Sequence, residues 1–263
     1  MRAAEKIAVV FTFALLTVGC HTVPKAPSLP VRHSLVRNQL VIYSDFTLSA
    51  NHRLLGELAA QRQHLAAKLE LPLTDEPIDV YLFNEPESYH GFMAQHYPEF
   101  PQRRAFFVES DTRLAVYAHW GDHVAEDLRH EVAHGYLHAA VSHLPLWLDE
   151  GLAEYFEVPR GQQGFNRPHV ELLVTKMENE RWRPDLKRLE RIASSGELTQ
   201  SDYAEAWAWV HWLLETGPAH QQVLVETIRH LRDGAAERPI SIAIAQLHVE
   251  PGETLAEHIR SLQ

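Results

Sequence analysis

From residue 40 onward the apolar positions follow two regimes in succession. Leu40 to Leu48 (LVIYSDFTL) is β-branched and aromatic and reads as a strand. Asn51 to Leu69 carries Leu54, Leu55, Leu58, Leu65 and Leu69 at helical spacing. Ile78 to Phe83 predicts a second strand, Glu85 to His96 a short helix, and Arg104 to Glu109 a third strand. Thr112 to Trp120 alternates Leu114, Val116, Ala118 and Trp120 with Arg113, Ala115, Tyr117 and His119, the period of a fourth strand. Past Gly121 the period becomes helical and stays so. Asp122 can cap a helix running to Val141, and Pro145 opens another that ends before Pro159. Further helical stretches cover about 167–182, 185–194, 201–216, 218–232, 239–248 and 252–262. Strands first and helices after predict an α+β fold, with a small N-terminal sheet lobe, a helical C-terminal lobe and a cleft between them. With no internal repeat and no second linker, residues 34–263 read as one domain.

The first residues read as an address. Arg2 and Lys6 precede an apolar run, Ile7 to Val18, too short to span a bilayer core of ~30 Å and typical of a secretory signal. The run ends Leu16-Thr17-Val18-Gly19-Cys20, which resembles the bacterial lipobox, with Thr17 where Leu is usual. The resemblance implies a signal peptide over 1–19 and lipidation of Cys20. Residues 20–33, with Pro24, Pro27 and Pro30, suit an extended tether. His21 is not the Asp that commonly retains lipoproteins at the inner membrane, so the expected location is the outer membrane, facing the periplasm.

Composition narrows the function. The formal charge is -11, from 24 Lys+Arg against 35 Asp+Glu, and no basic cluster supplies a nucleic-acid footprint. Cys20 is the single cysteine, which excludes an intrachain disulfide and a cysteine-based zinc site. Histidine is abundant at 18 residues, dispersed along the chain rather than clustered as in a metal store.

The chemistry concentrates at His130-Glu131-Val132-Ala133-His134, an H-E-x-x-H motif. Two imidazoles at i and i+4 lie on one helix face and can bind one Zn²⁺, while the adjacent Glu131 reaches a water without taking a coordination position. In so histidine-rich a chain the flanking sequence must carry the inference. His123, Asp127, His130, His134 and His138 form one stripe, and the next helix stacks Glu150, Glu154 and Glu157 on one face, an arrangement that repels itself unless a cation is near. A short connection lets the two faces meet. His130, His134 and Glu150 then supply the three protein ligands of a catalytic zinc, one ion per chain, and Glu154 is a candidate acceptor for a ligand-histidine N–H. Gly151, costly in a helix interior, suggests a tight approach between these two helices. His138 lies about 12 Å along the axis from His130, too far to share that ion.

HEVAH followed by Leu146-Trp147-Leu148-Asp149-Glu150-Gly151-Leu152-Ala153-Glu154-Tyr155-Phe156-Glu157 resembles the gluzincin metallopeptidases of the peptidase MA-like superfamily. In aminopeptidase N-type members a W-L-N-E-G-F-A segment follows the motif, and its Glu is the third zinc ligand. Here Asp149 stands where that segment has Asn, and the interval from His134 to Glu150 is shorter. The resemblance spans about 105–215 and implies a zincin-like fold. It also implies a role for Tyr203, at the position of a Tyr that hydrogen-bonds the tetrahedral intermediate; Tyr203, Trp207 and Val210 equally make the core face of a helix. The exopeptidase G-x-M-E-N signature is absent.

The expected function is therefore a zinc-dependent peptidase, with Glu131 as general base, tethered in the cell envelope and acting on a peptide or protein. The alternative is an inactive peptidase-like lipoprotein that binds a partner or the cell wall. Retention of Glu131 beside all three ligands favours the enzyme. If the fourth strand is an edge strand, an extended peptide could pair with it.

Overall fold

The computed structural model describes residues 28–235 and 238–263. The signal sequence, Cys20, and Pro24 and Pro27 of the expected tether lie outside the described residues. Five strands, β1 (His33–Arg37), β2 (Leu40–Ser44), β3 (Ile78–Phe83), β4 (Ala105–Ser110) and β5 (Arg113–His119), form one mixed sheet in the order β1-β2-β3-β5-β4. β2, β3 and β5 run parallel, and antiparallel hairpins close both ends. α1 (Arg53–Leu69) and α2 (Pro86–His96) are the crossovers. The rest is helical: α3 (Val124–His138), α4 (Leu146–Glu157), α5 (Arg167–Asn179), α6 (Leu186–Leu189), α7 (Gln200–Glu215), α8 (Pro218–Arg232), α9 (Ile240–Leu247) and α10 (Pro251–Ser261). This is the expected α+β layout of a sheet followed by helices.

Both sheet faces are covered, so the strands do not alternate between core and water. Ile42, Val80 and Val116 pack with α1 and α3 in the main core, whereas Tyr81, Tyr117 and Phe106 lie with Phe92 and Met93 of α2 on the other face. Register brings Tyr43, Tyr81 and Tyr117 into one row, stacked at 5.1 and 5.2 Å between ring centroids.

Several sequence expectations change. β1 was not expected: its side chains are mostly exposed and show no apolar alternation, and its turn relies on Asn38 at φ 54°, a conformation Asn tolerates. Its first residue, His33, falls where the tether was expected to end. β5 lies between β3 and β4, so the edge beside the helices is β4, and a strand added to the sheet there would pair with β4. The cap of α3 is His123, with no side-chain cap bond; Asp122 does not fill that role. The stretch 185–194 forms only the single turn α6, followed by a 3₁₀ turn at Ser195–Glu197.

α7 is buried nearly all round because it is central. Trp207, Trp209 and Trp212 are buried, and the helix packs against α4, α5 and α8. α4 is clamped between α3 and α7. The tight approach at Gly151 is to α7, not to α3: a Cβ there would stand 2.6 Å from the Ala206 carbonyl oxygen and 2.9 Å from Val210. Two helices can touch backbone to backbone only where one lacks a side chain. Gly151→Ala is therefore expected to destabilise the protein by about 1–3 kcal/mol despite Ala's better helix propensity. Denaturant unfolding checks this, and a stabilised variant would contradict the close approach.

Candidate metal centre

β5 leads through Trp120 and Gly121 directly into α3, which lies on the sheet and carries His130, Glu131 and His134. The backbone turns at 139–145 and returns as α4, laying Glu150 against the two histidines. His130 Nε2 and His134 Nε2 are 3.3 Å apart, and Glu150 Oε2 is 3.6 Å from the first and 3.7 Å from the second. The edge of a tetrahedron with bonds of ~2.1 Å is about 3.4 Å, so this triangle has the size a small tetrahedral ion requires. Glu150 Oε2 is buried and has no hydrogen-bond partner among the described residues. A buried carboxylate oxygen without a donor costs several kcal/mol unless a cation meets it. These groups fit a metal ion on their chemistry as well as on their spacing.

The other ring nitrogens are held from behind. His130 Nδ1 lies 3.0 Å from Glu157 Oε2, and His134 Nδ1 lies 2.9 Å from Asp149 Oδ1. Each donates there, which orients the ring and turns Nε2 towards the other imidazole and Glu150 Oε2. Asp149 also binds His138 Nε2 at 3.0 Å, and His138 Nδ1 reaches Glu109 of β4 at 2.6 Å. The Phe107 ring lies against His134 and His138. Two other groups of acids and histidines are close enough to hold a metal, His134/His138/Asp149 and His130/Glu154/Glu157. Their atoms are already engaged with one another or with His169, whereas the unpartnered oxygen belongs to the His130/His134/Glu150 set.

Glu154, expected to accept from a ligand histidine, instead accepts from His169 Nε2 at 2.7 Å. Asp149 and Glu157 hold the ligand rings. The sequence carried a trace of both, Asp149 as a departure from Asn and Glu157 as the end of the acidic stripe. His169, and Asn166, which donates to Glu157 at 3.0 Å, come from α5 and its cap and had no local signal.

Glu131 sits one residue round the helix, at the wall of a cleft of about 1220 Å³. Its Oε2 accepts from the Phe107 backbone N–H at 2.6 Å, tying the β4 edge to the site. Burial pushes its pKa up, with Glu150 adding to this, against the pull of His130 and His134. Tyr203 lines the same cleft, its hydroxyl accepting from Arg103 Nη2 at 2.8 Å. Burial and the charge of Glu150 raise its pKa. The structure thus brings together every site residue picked from the sequence body and adds Asp149, Glu157, His169 and Arg103.

Protonation follows from this crowding. Burial works against charge on His130 and His134, but Glu150 and Glu157 around the first, and Asp149 and Glu150 around the second, outweigh it and raise both pKa values. Of the two adjacent acids, Glu157 is pushed up by burial and by the charge of Glu154, which His169 holds down. A metal ion must therefore displace at least one proton at pH 7, and its affinity rises with pH until both histidines are neutral without it. Calorimetric titration of apo-protein with zinc, in buffers of different ionisation enthalpy, is expected to show one or more protons released per ion. Glu150→Ala is expected to lose most of the binding. No proton release, or full occupancy of Glu150→Ala, would contradict this ligand set.

A domain of the family described as "Protein of unknown function (DUF1570)" is found at residues 124–240. The match begins with α3 and takes in α4, α5 and α7, so all four helices of the site fall within it, while the sheet, with Arg103 and Phe107, precedes it. No curated protein matches the chain.

Proposed function

We propose that this chain is a zinc-dependent peptidase whose reacting groups are His130, His134 and Glu150 as ligands and Glu131 as general base. The observation that carries the reading is the unpartnered buried Glu150 oxygen facing two imidazole nitrogens, with a carboxylate of raised pKa beside them at the wall of an open cleft. Two neutral histidines and one carboxylate are a donor set suited to hydrolytic zinc, which supplies Lewis acidity to a carbonyl and to water.

The chain's own residues do the rest. Glu131 takes the proton of the attacking water and passes it to the departing amine. The Phe107 N–H fixes its carboxylate, leaving one oxygen for the water. Tyr203 accepts from Arg103, which has no acceptor to offer in return, so the phenol's own proton is available to a developing oxyanion. Residues 102–105, at the start of the β4 edge, line the cleft and can receive an extended peptide along that edge.

Glu131→Gln separates this reading from that of a peptidase-like binding protein. Gln is nearly isosteric and Glu131 is not a ligand, so zinc content and thermal stability are expected to stay near wild type while peptide hydrolysis falls by about 10²–10⁴-fold. Cleavage at the wild-type rate would exclude Glu131 as the base, and a wild type that cleaves nothing in a broad peptide library would favour the binding reading.

The same proposal places the enzyme in the cell envelope, tethered through lipidated Cys20. Support comes from the N-terminal sequence alone; among the described residues no helix is long and apolar enough to cross a membrane. Cys20→Ser is expected to move the protein from the membrane fraction to the soluble periplasm. A wild type recovered soluble with a free thiol would contradict the anchor.

A further inference from the structure

Four arginines line the cleft, and they differ in one respect. Arg104 is engaged by Asp127 and Glu126, and Arg129 by Glu57. Arg103 and Arg167 form no ion pair with a carboxylate among the described residues; Arg167 stacks on Phe165 at the far end of the lining segment, at the start of α5. In a chain with 35 acids against 24 Lys+Arg, an arginine beside an acidic site ordinarily finds a carboxylate. Arg103 is nevertheless held in place without one. Its guanidinium lies 5.6 Å from the Tyr203 ring centroid and 5.9 Å from that of Phe106, and Nη2 donates to the Tyr203 hydroxyl. Arg103 lines the same cleft as His130 and Glu131. Among the described residues one of its five N–H donors is used.

We infer that Arg103 binds a carboxylate of the substrate, so that the cleft takes peptides bearing an anionic group close to the bond it acts on. The planar fork of a guanidinium matches a carboxylate in two parallel hydrogen bonds. The two aromatic rings fix the fork's position, so little side-chain entropy is lost on binding. Acidic residues around the candidate metal centre repel an anion, so an arginine without a carboxylate partner on the cleft wall decides where that anion sits. The carboxylate can come from the peptide's C-terminus or from an Asp or Glu side chain. This inference rests on the peptidase reading, since it names the substrate class of the same cleft.

Binding tests it without turnover, on zinc-loaded Glu131→Gln protein of full length. The probes are acetyl-tetraalanine as free acid and as amide, and acetyl-Ala-Glu-Ala-Ala-amide with its Gln counterpart, measured by calorimetry. At least one acidic probe is expected to bind roughly 10- to 100-fold more tightly than its neutral twin, the range of a charge-assisted hydrogen bond. Which pair shows the difference identifies the source of the carboxylate. Adding Arg103→Met should abolish the difference between acidic and neutral probes while leaving zinc content unchanged. Arg103→Lys, which keeps the charge and loses the fork, should retain part of it. Equal affinities for acid and neutral probes, no binding in the millimolar range, or a preference that survives Arg103→Met would each overturn the assignment. If wild-type protein shows the preference yet never cleaves the preferred probe, the peptidase reading falls and the carboxylate site stands.

Discussion

The structure around the cleft depends on one buried carboxylate oxygen, Glu150 Oε2, that has no hydrogen-bond partner among the described residues. Glu150 lies on a helix whose every neighbour is packed, its Oε2 out of reach of any donor among the described residues, and two imidazole nitrogens face it. A charge so placed is tolerable only if a cation shares the space, whether protons on the histidines or a metal between all three. The carboxylates behind His130 and His134 set the same condition from the other side, because each holds its ring with Nε2 turned to Glu150.

Rigidity comes from how α4 is held. Gly151 lets α7 approach backbone to backbone on one side, and the histidine face of α3 closes on the other. The ligand helix is thus fixed by contacts that have nothing to do with metal binding. β4 adds a third constraint, since its Phe107 N–H holds Glu131, its Glu109 holds His138, and the Phe107 ring lies against His134. The chain from Glu109 through His138 and Asp149 to His134 joins the sheet edge to a ligand imidazole by unbroken hydrogen bonds.

Much of this could be read in the sequence because it is periodic and local. The i, i+4 spacing of His130 and His134 and the stripe of Glu150, Glu154 and Glu157 are properties of single helices, and a connection of a few residues forces them together. What could not be read depends on which elements become neighbours. β4 and β5 are adjacent in sequence, and nothing in their alternation says which lies outermost. Gly151 announced a close approach, but its partner is α7 and not the α3 that the sequence suggested. Glu154 and Glu157 differ by one turn, and the identity of the one bonded to His130 was settled by His169 arriving from α5 to occupy the other. Arg103 carries no local signal in the sequence, and only the fold places it beside Tyr203, a hundred residues away.

Diffraction from zinc-soaked crystals, with anomalous data collected at the zinc edge, tests the central claim most directly. One strong peak per chain is expected, about 2.0–2.2 Å from His130 Nε2, His134 Nε2 and a Glu150 carboxylate oxygen, with Asp149 and Glu157 still bonded to the outer ring nitrogens. A peak between His134, His138 and Asp149 instead, or no peak between α3 and α4, would contradict it.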